Sequence, residues 1–170
     1  MIVTIRLAAP ADAQGLPDIE RDAGRGFLTI PDLAWIASDN VMSADEHLSR
    51  IAAGTLWVAD DAAAGVIGFL NAEAIGAELH IWEAAVRGDF QQRGIGARLL
   101  GAAFDHARAA GLTAVTLTTF RDVAWNAPFY ARNGFAIVEG DGLGERLTGL
   151  LRQEAALGMP RRCAMRRPVS

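Results

Sequence analysis

The chain has a single cysteine, a single tyrosine and no long apolar run in its 170 residues. A lone Cys163 excludes an internal disulfide and fits a reducing compartment. Its neighbours are apolar, which makes it core filler rather than a nucleophile. No His/Cys/Asp cluster has the spacing of metal ligands, so no metal is expected. Net charge is −4, which gives no electrostatic footprint for nucleic acid. The arginines Arg161, Arg162, Arg166 and Arg167 flank a C-terminal strand rather than bind phosphate. No stretch approaches the ~20 apolar residues of a membrane span. Asp12, Asp18, Glu20, Arg21 and Asp22 interrupt any apolar start, so no signal peptide is expected. A cytoplasmic protein away from membranes follows as the default. Repeats, low-complexity tracts and linkers are missing too, and 51% of residues are apolar. One globular domain over residues 1–170, with a sizeable core, is expected.

What is present is an alternation of strand and helix patterns. Ile2–Leu7 alternates as a first strand. Pro10–Arg25 reads as a helix, with Pro10 early in it and Pro17 marking a kink or a late start. Phe27–Trp35 reads as a loop with a short helix. Ser43 with Glu46 forms a capping box that opens a helix to Ala53. Thr55–Ala59 and Val66–Ala74 read as a hairpin around Asp60-Asp61. Leu79–Val86 is a fourth strand, Ala97–Ala110 a helix, and Leu112–Phe120 a β-branched fifth strand. A strand, a crossover helix and a strand favour parallel pairing. A short helix over Ala127–Asn133 ends at Gly134, a plausible left-handed cap. Phe135–Glu139, a helix over Leu147–Leu157 and a strand over Arg162–Arg167 complete a mixed α/β sheet with helices on its faces.

The run Gln91-Gln92-Arg93-Gly94-Ile95-Gly96-Ala97 joins the fourth strand to its helix. Two glycines where a loop becomes a helix let backbone N–H groups approach an anion, and the helix dipole adds to the attraction. The pattern suggests a pyrophosphate cradle; an ordinary strand-to-helix turn has the same glycines. A dinucleotide fold needs a third glycine where Leu99 stands, and its loop follows the first strand. A phosphate-binding P-loop needs Gly-Lys-Ser/Thr, which is missing. NAD and ATP are disfavoured.

Gln91-Gln92-Arg93-Gly94-Ile95-Gly96 and Asn126-Ala127-Pro128-Phe129-Tyr130-Ala131-Arg132-Asn133-Gly134-Phe135 together resemble the two signatures of the GNAT superfamily of acyl-CoA-dependent N-acetyltransferases. Element order agrees over about Ile2 to Arg167, and the specific resemblance runs from Leu79 to Phe135. It implies a mostly antiparallel sheet of about seven strands with a central parallel pair and helices on both faces. It implies that the loop residues Gln91, Gln92, Arg93, Gly94, Ile95, Gly96 and Ala97 hold the CoA pyrophosphate. It also implies that backbone groups of Ala84, Ala85 and Val86, freed where the fourth strand splays from the fifth, pair with the pantetheine arm.

Acetyl transfer from a thioester needs a neutral amine, so a base must take an ammonium proton, directly or through water. Glu83 and His80 are the candidates on the fourth strand. They face opposite sides on ideal alternation, and a bulge there brings either inward. Tyr130 stands at the family's general-acid position, where it protonates the departing thiolate. Asn126 stands four residues before the tyrosine rather than seven, where this sequence has Val123. It is placed both to cap the short helix and to reach the cofactor. Trp125, Trp82, Trp35 and Phe27 are candidates to line an acceptor pocket, and Asp22, Asp32 and Asp39 to attract a cationic amine.

The resemblance thus implies an enzyme that moves an acetyl group from acetyl-CoA to a primary amine, on a small molecule or a peptide, by direct attack in a ternary complex. The rival reading is an acyl-CoA sensor or inactive module without turnover; a longer acyl chain is a further alternative. Family resemblance makes a homodimer through the C-terminal strands plausible.

Overall fold

The structure, a computed structural model, describes residues 1–170. Its strands are β1 (Val3–Leu7), β2 (Leu56–Asp61), β3 (Gly65–Ile75), β4 (Glu78–Val86), β5 (Ala114–Phe120), β6 (Ala136–Val138) and β7 (Arg162–Pro168). Its helices are α1 (Leu16–Gly24), α2 (Ala44–Ala53), α3 (Ile95–Ala109), α4 (Ala127–Arg132) and α5 (Gly144–Ala156). The seven strands follow the order β1-β2-β3-β4-β5-β7-β6. This is the expected mixed sheet. It is antiparallel at β1–β2, β2–β3, β5–β7 and β6–β7, and parallel at β4–β5. No helix is long and apolar enough to cross a membrane.

The chain forms two compact units. The first comprises Met1–Glu73 and Trp82–Asp105. Its core packs Leu16 and Ile19 of α1 against Leu56, Val58, Phe69 and Ala85 of the strands. The expected helix from Pro10 is instead a 3-10 stretch, Pro10–Gly15, followed by α1. Each begins with a proline in its first turn, where the missing N–H costs nothing. Asp12 fixes the start: its carboxylate accepts from Ala9 N–H at 2.7 Å and pairs with Arg6 at 2.8 Å. The capping box of α2 is present, with Ser43 and Glu46 satisfying each other's backbone N–H groups. The segment over Phe27–Trp35 is two 3-10 stretches, Arg25–Thr29 and Pro31–Ser38. The expected hairpin is the β2–β3 pair, closed by Asp61, whose Oδ1 accepts from the N–H groups of Ala63 and Ala64.

The second unit comprises Ala74–Ile81 and His106–Ser170. The β4–β5 pairing lies within it and runs from Glu78↔Ala114 to Ile81↔Leu117. β7 lies between β5 and β6 and pairs along the whole of β5. Leu79, Leu117, Leu147 and Met165 are fully buried here. Cys163 is buried in β7, and burial pushes its thiol pKa up, as a core role requires. The four C-terminal arginines are tied to the fold. Arg162 pairs with Glu154 at 2.9 Å, Arg166 with Glu78 at 2.9 Å and Arg161 with Asp122 at 3.3 Å. Arg167 donates to the Asn133 carbonyl.

Candidate active site

The glycine loop belongs to the first unit. A 3-10 turn, Gly88–Phe90, follows β4, and Asp22 of α1 accepts from its Gly88 N–H at 2.7 Å. Gln91 donates through Nε2 to the Val86 carbonyl at 2.9 Å, which fastens the loop to the strand end. Gln92 and Gly94 adopt left-handed φ angles of 60° and 77°. That conformation, not crowding, calls for glycine at 94, since an added Cβ there meets no atom within 4 Å. Residues 91–94 are exposed, and the first helical hydrogen bond of α3 runs from Arg98 N–H to the Gly94 carbonyl. The N–H groups before Arg98 therefore have no partner within the helix. Backbone donors at a helix start, over open space, suit a phosphate-bearing group. Arg93 is also held structurally: it donates to the Asp89 carbonyl at 2.8 Å and lies over the Phe90 ring.

Upstream, Ala85 is buried while Ala84 and Val86 are half-buried. β3 approaches this stretch closely. A Cβ on Gly68 would stand 2.9 Å from the Ala85 carbonyl oxygen and 3.1 Å from Val86 Cγ2. Glu83 is half-buried, and its Oε1 accepts from Ala84 N–H at 3.1 Å. Burial, then the Glu83 charge, pushes the Glu20 pKa up to about 8, against a hydrogen bond from Met42 N–H. Trp82 donates through Nε1 to Glu73, which also pairs with Arg50 at 2.7 Å.

His80, Asn126 and Tyr130 belong to the second unit. His80 is 1% exposed, and its Nδ1 lies 3.0 Å from Thr116 Oγ1 and 3.1 Å from Arg146 Nη1. Guanidinium N–H groups only donate, so Nδ1 is an acceptor and the ring is neutral. Burial, and then the Arg146 charge, lowers its pKa to about 4. Glu78 receives Arg146 at 2.7 Å and Arg166 at 2.9 Å. Burial opposes its ionisation, but these two arginines hold its carboxyl below the usual range. Asn126 is the N-cap residue of α4 by position, yet its side chain makes no cap bond. Its Oδ1 accepts from Thr119 Oγ1 at 2.7 Å and from Phe120 N–H at 3.4 Å, fastening α4 to the end of β5. Tyr130 is half-buried, edge-on to Phe129 and to Phe135.

Residues 25–135, more than half of the chain, match the model of the acetyltransferase (GNAT) family. The chain belongs to that family. The GNAT fold is shared with solved structures of low sequence identity. The PaiA N-acetyltransferase from Thermoplasma acidophilum, in complex with coenzyme A, superposes with a TM-score of 0.72. Identity is 19%, over 99% of each chain. The ribosomal-protein alanine N-acetyltransferase from Escherichia coli gives a TM-score of 0.68 at 18% identity, over 99% of this chain and 95% of that one. The N-acetylglutamate synthase from Neisseria gonorrhoeae, with coenzyme A and N-acetyl-glutamate, gives 0.69 at 19% identity, over 100% of this chain and 36% of that one.

In this GNAT acetyltransferase, the glycine loop, the end of β4 and Glu83 lie in the first unit, and His80, Asn126 and Tyr130 in the second. Glu20 escaped sequence reading. It lies on an amphipathic helix among other acidic residues, and nothing local marks a carboxyl whose pKa burial raises.

Proposed function

We propose that this acetyltransferase moves an acetyl group from acetyl-CoA to a primary amine by direct attack in a ternary complex. The observation that carries the reading is the exposed loop over residues 91–94, with its left-handed Gln92 and Gly94, leading into the start of α3. Its backbone N–H groups take the pyrophosphate, with Arg93 as an added cation. The backbone of Ala84, Ala85 and Val86 pairs with the pantetheine arm and polarises the thioester carbonyl. The bound thioester supplies the acetyl group.

Glu83 takes the amine proton. The assignment favours Glu83 over His80 because the His80 imidazole is buried with its Nδ1 already accepting. The neutral amine then attacks the thioester carbon. Tyr130 gives its phenolic proton to the leaving sulfur. Asn126 supports the tyrosine's helix from β5 rather than capping it. The whole of residues 1–170 acts as one acetyltransferase domain.

Thermal-shift titration with acetyl-CoA, CoA and NADH tests the cofactor, because a bound ligand raises the melting temperature. Thiol release from acetyl-CoA is then followed with amino acids, amino-acid amides, polyamines and aminoglycosides. Stabilisation by both CoA species but not NADH, with turnover on an amine, is the expected result. Stabilisation without turnover on any amine would leave the acyl-CoA sensor as the better reading.

A further inference from the structure

The loop that leads into α3 has no apolar anchor of its own. Ala85 and Ile95 are buried, and no residue from Arg87 to Gly94 between them is. Polar contacts hold it instead. Arg87 pairs with Asp89 at 2.8 Å, and the guanidinium groups of Arg87 and Arg93 lie 5.0 and 5.4 Å from the centre of the Phe90 ring. Such internal contacts shape the loop but do not fix where it sits. Its start is fastened from outside, by Arg87 N–H on the Ile67 carbonyl at 2.9 Å and by Gly88 N–H on Asp22 Oδ2 at 2.7 Å. The first bond joins main chain to main chain and depends on no side chain. The second depends on one carboxylate, 66 residues earlier in the chain.

The register of α1 brings that carboxylate to the loop. Ile19 packs in the same core cluster as Ala85 at the end of β4. Asp22 and Gly88 stand one helical turn and three residues further on, so the helix accompanies the chain as it leaves the sheet. A Cβ on Gly88 would stand 3.5 Å from Asp22 Oδ2, a close approach without crowding. The other carboxylate oxygen lies 4.0 Å from Arg25 Nη1, at the outer limit of an ion pair. Hydrogen bonds from a backbone N–H to an ionised carboxylate are shorter and roughly twice as strong as neutral ones.

We propose that Asp22 is a positioning residue for the acyl donor: through Gly88 N–H it fixes the loop against α1, so that the loop's backbone donors converge on the pyrophosphate. The proposal rests on the reading of the loop as the CoA cradle. Hydrogen bonds to a phosphate oxygen weaken steeply as the N–H groups swing away from it. A loop with left-handed Gln92 and Gly94 and no buried side chain has little else to keep its donors in line. Asp22 therefore serves acetyl-CoA, and not the attraction of a cationic acceptor that its charge alone suggests.

Asp22→Ala and Asp22→Asn separate these two roles. Alanine is the better helix former, so the variant should fold, and urea melts of the ligand-free proteins check this. Calorimetric titration of the full chain with CoA needs no acceptor. Asp22→Ala should weaken CoA about three- to tenfold, the loss of one partly exposed charged hydrogen bond. Asp22→Asn keeps an oxygen for Gly88 N–H and should recover most of that affinity. In proton–nitrogen correlation spectra the Gly88 amide proton should move upfield in Asp22→Ala and less in Asp22→Asn. With whichever amine of the panel above turns over, Asp22→Ala should raise the KM for acetyl-CoA and leave kcat and the acceptor KM within about twofold. Wild-type CoA affinity in folded Asp22→Ala overturns the proposal. So does an acceptor KM that rises equally in both variants while CoA affinity holds, the mark of charge attraction. Gly94→Glu binding CoA as the wild type does would instead overturn the reading of the loop as the cradle.

Discussion

Gly68→Ala should destabilise the protein and deform the acyl-donor strand, while Gly101→Ala should do the reverse. The same methyl group is added in both cases. At Gly68 it arrives 2.9 Å from the Ala85 carbonyl oxygen and 3.1 Å from Val86 Cγ2. The closest atom is backbone in a paired strand, so it has no rotamer by which to withdraw. Overpacking of this kind costs about 1–3 kcal/mol. For a chain of this size that lowers Tm by roughly 3–10 °C. At Gly101, inside α3, the new Cβ meets nothing within 4 Å. Replacing glycine by alanine in a helix interior stabilises by about 0.5–1 kcal/mol. Both variants stiffen the unfolded chain equally, so their difference isolates the contact at β4. Urea midpoints and thermal melts measure the stability difference, and a CoA titration measures the effect on Ala84–Val86. Only Gly68→Ala should weaken CoA binding. A Gly68→Ala protein as stable as Gly101→Ala would refute the close approach of β3 to β4.

Tyr130→Phe should lower turnover and leave CoA affinity intact, since both edge-on ring contacts survive loss of the hydroxyl; unchanged turnover would remove Tyr130 as the acid. Gly94→Glu places a side chain at a φ of 77°, at a cost of about 1–2 kcal/mol, and sets negative charge at the start of α3. Equilibrium binding should show a large loss of CoA affinity, and a wild-type Kd would contradict the cradle. His80 should make stability fall with acidity: its folded pKa is about 4 against an ordinary 6.5. The unfolded chain therefore takes the proton first as pH drops. This contribution is complete above pH 6.5 and is lost between 6.5 and 4, amounting to roughly 3 kcal/mol. Urea midpoints across that window should slope in the wild type and flatten in His80→Gln; a flat wild-type profile would show the ring to be accessible to protons.

The sheet was legible because each strand carried its own local signal. β-branched Val115, Thr116, Thr118 and Thr119 announce β5, and Ser43 with Glu46 announces α2 through bonds that span only one helical turn. The stretch from Pro10 misled in a specific way. Its composition suits a helix, but Pro17 forces a new start at Leu16, which leaves a 3-10 stretch before it. Asn126 shows the same limit within the candidate site. Cap position was readable from Pro128, whereas the partner of the side chain, Thr119, depended on where β5 ends. His80 and Glu83 were both candidates on one strand, with Glu83 slightly favoured. Arg146, from a distant segment, separates them by bonding the buried histidine's Nδ1 while it and Arg166 pair with Glu78. Periodicity reports which face is buried, not which charged groups from elsewhere will meet there.

The strand order β5-β7-β6 has a consequence for how the chain is made. β6, at residues 136–138, leaves the ribosome before β7, at 162–168, yet its hydrogen-bonding partner in the sheet is β7. Until β7 arrives, β5 presents an open edge rich in threonine, and the short β6 has nothing to pair with. Nascent chains therefore pass through a window in which that edge is available to other chains, and edges of this kind are where aggregation starts. Glu78 spends the same window without Arg166, which lies a further 88 residues along the chain. Slow translation between β6 and β7 prolongs the exposure, so expression yield should depend on the speed at which α5 is synthesised.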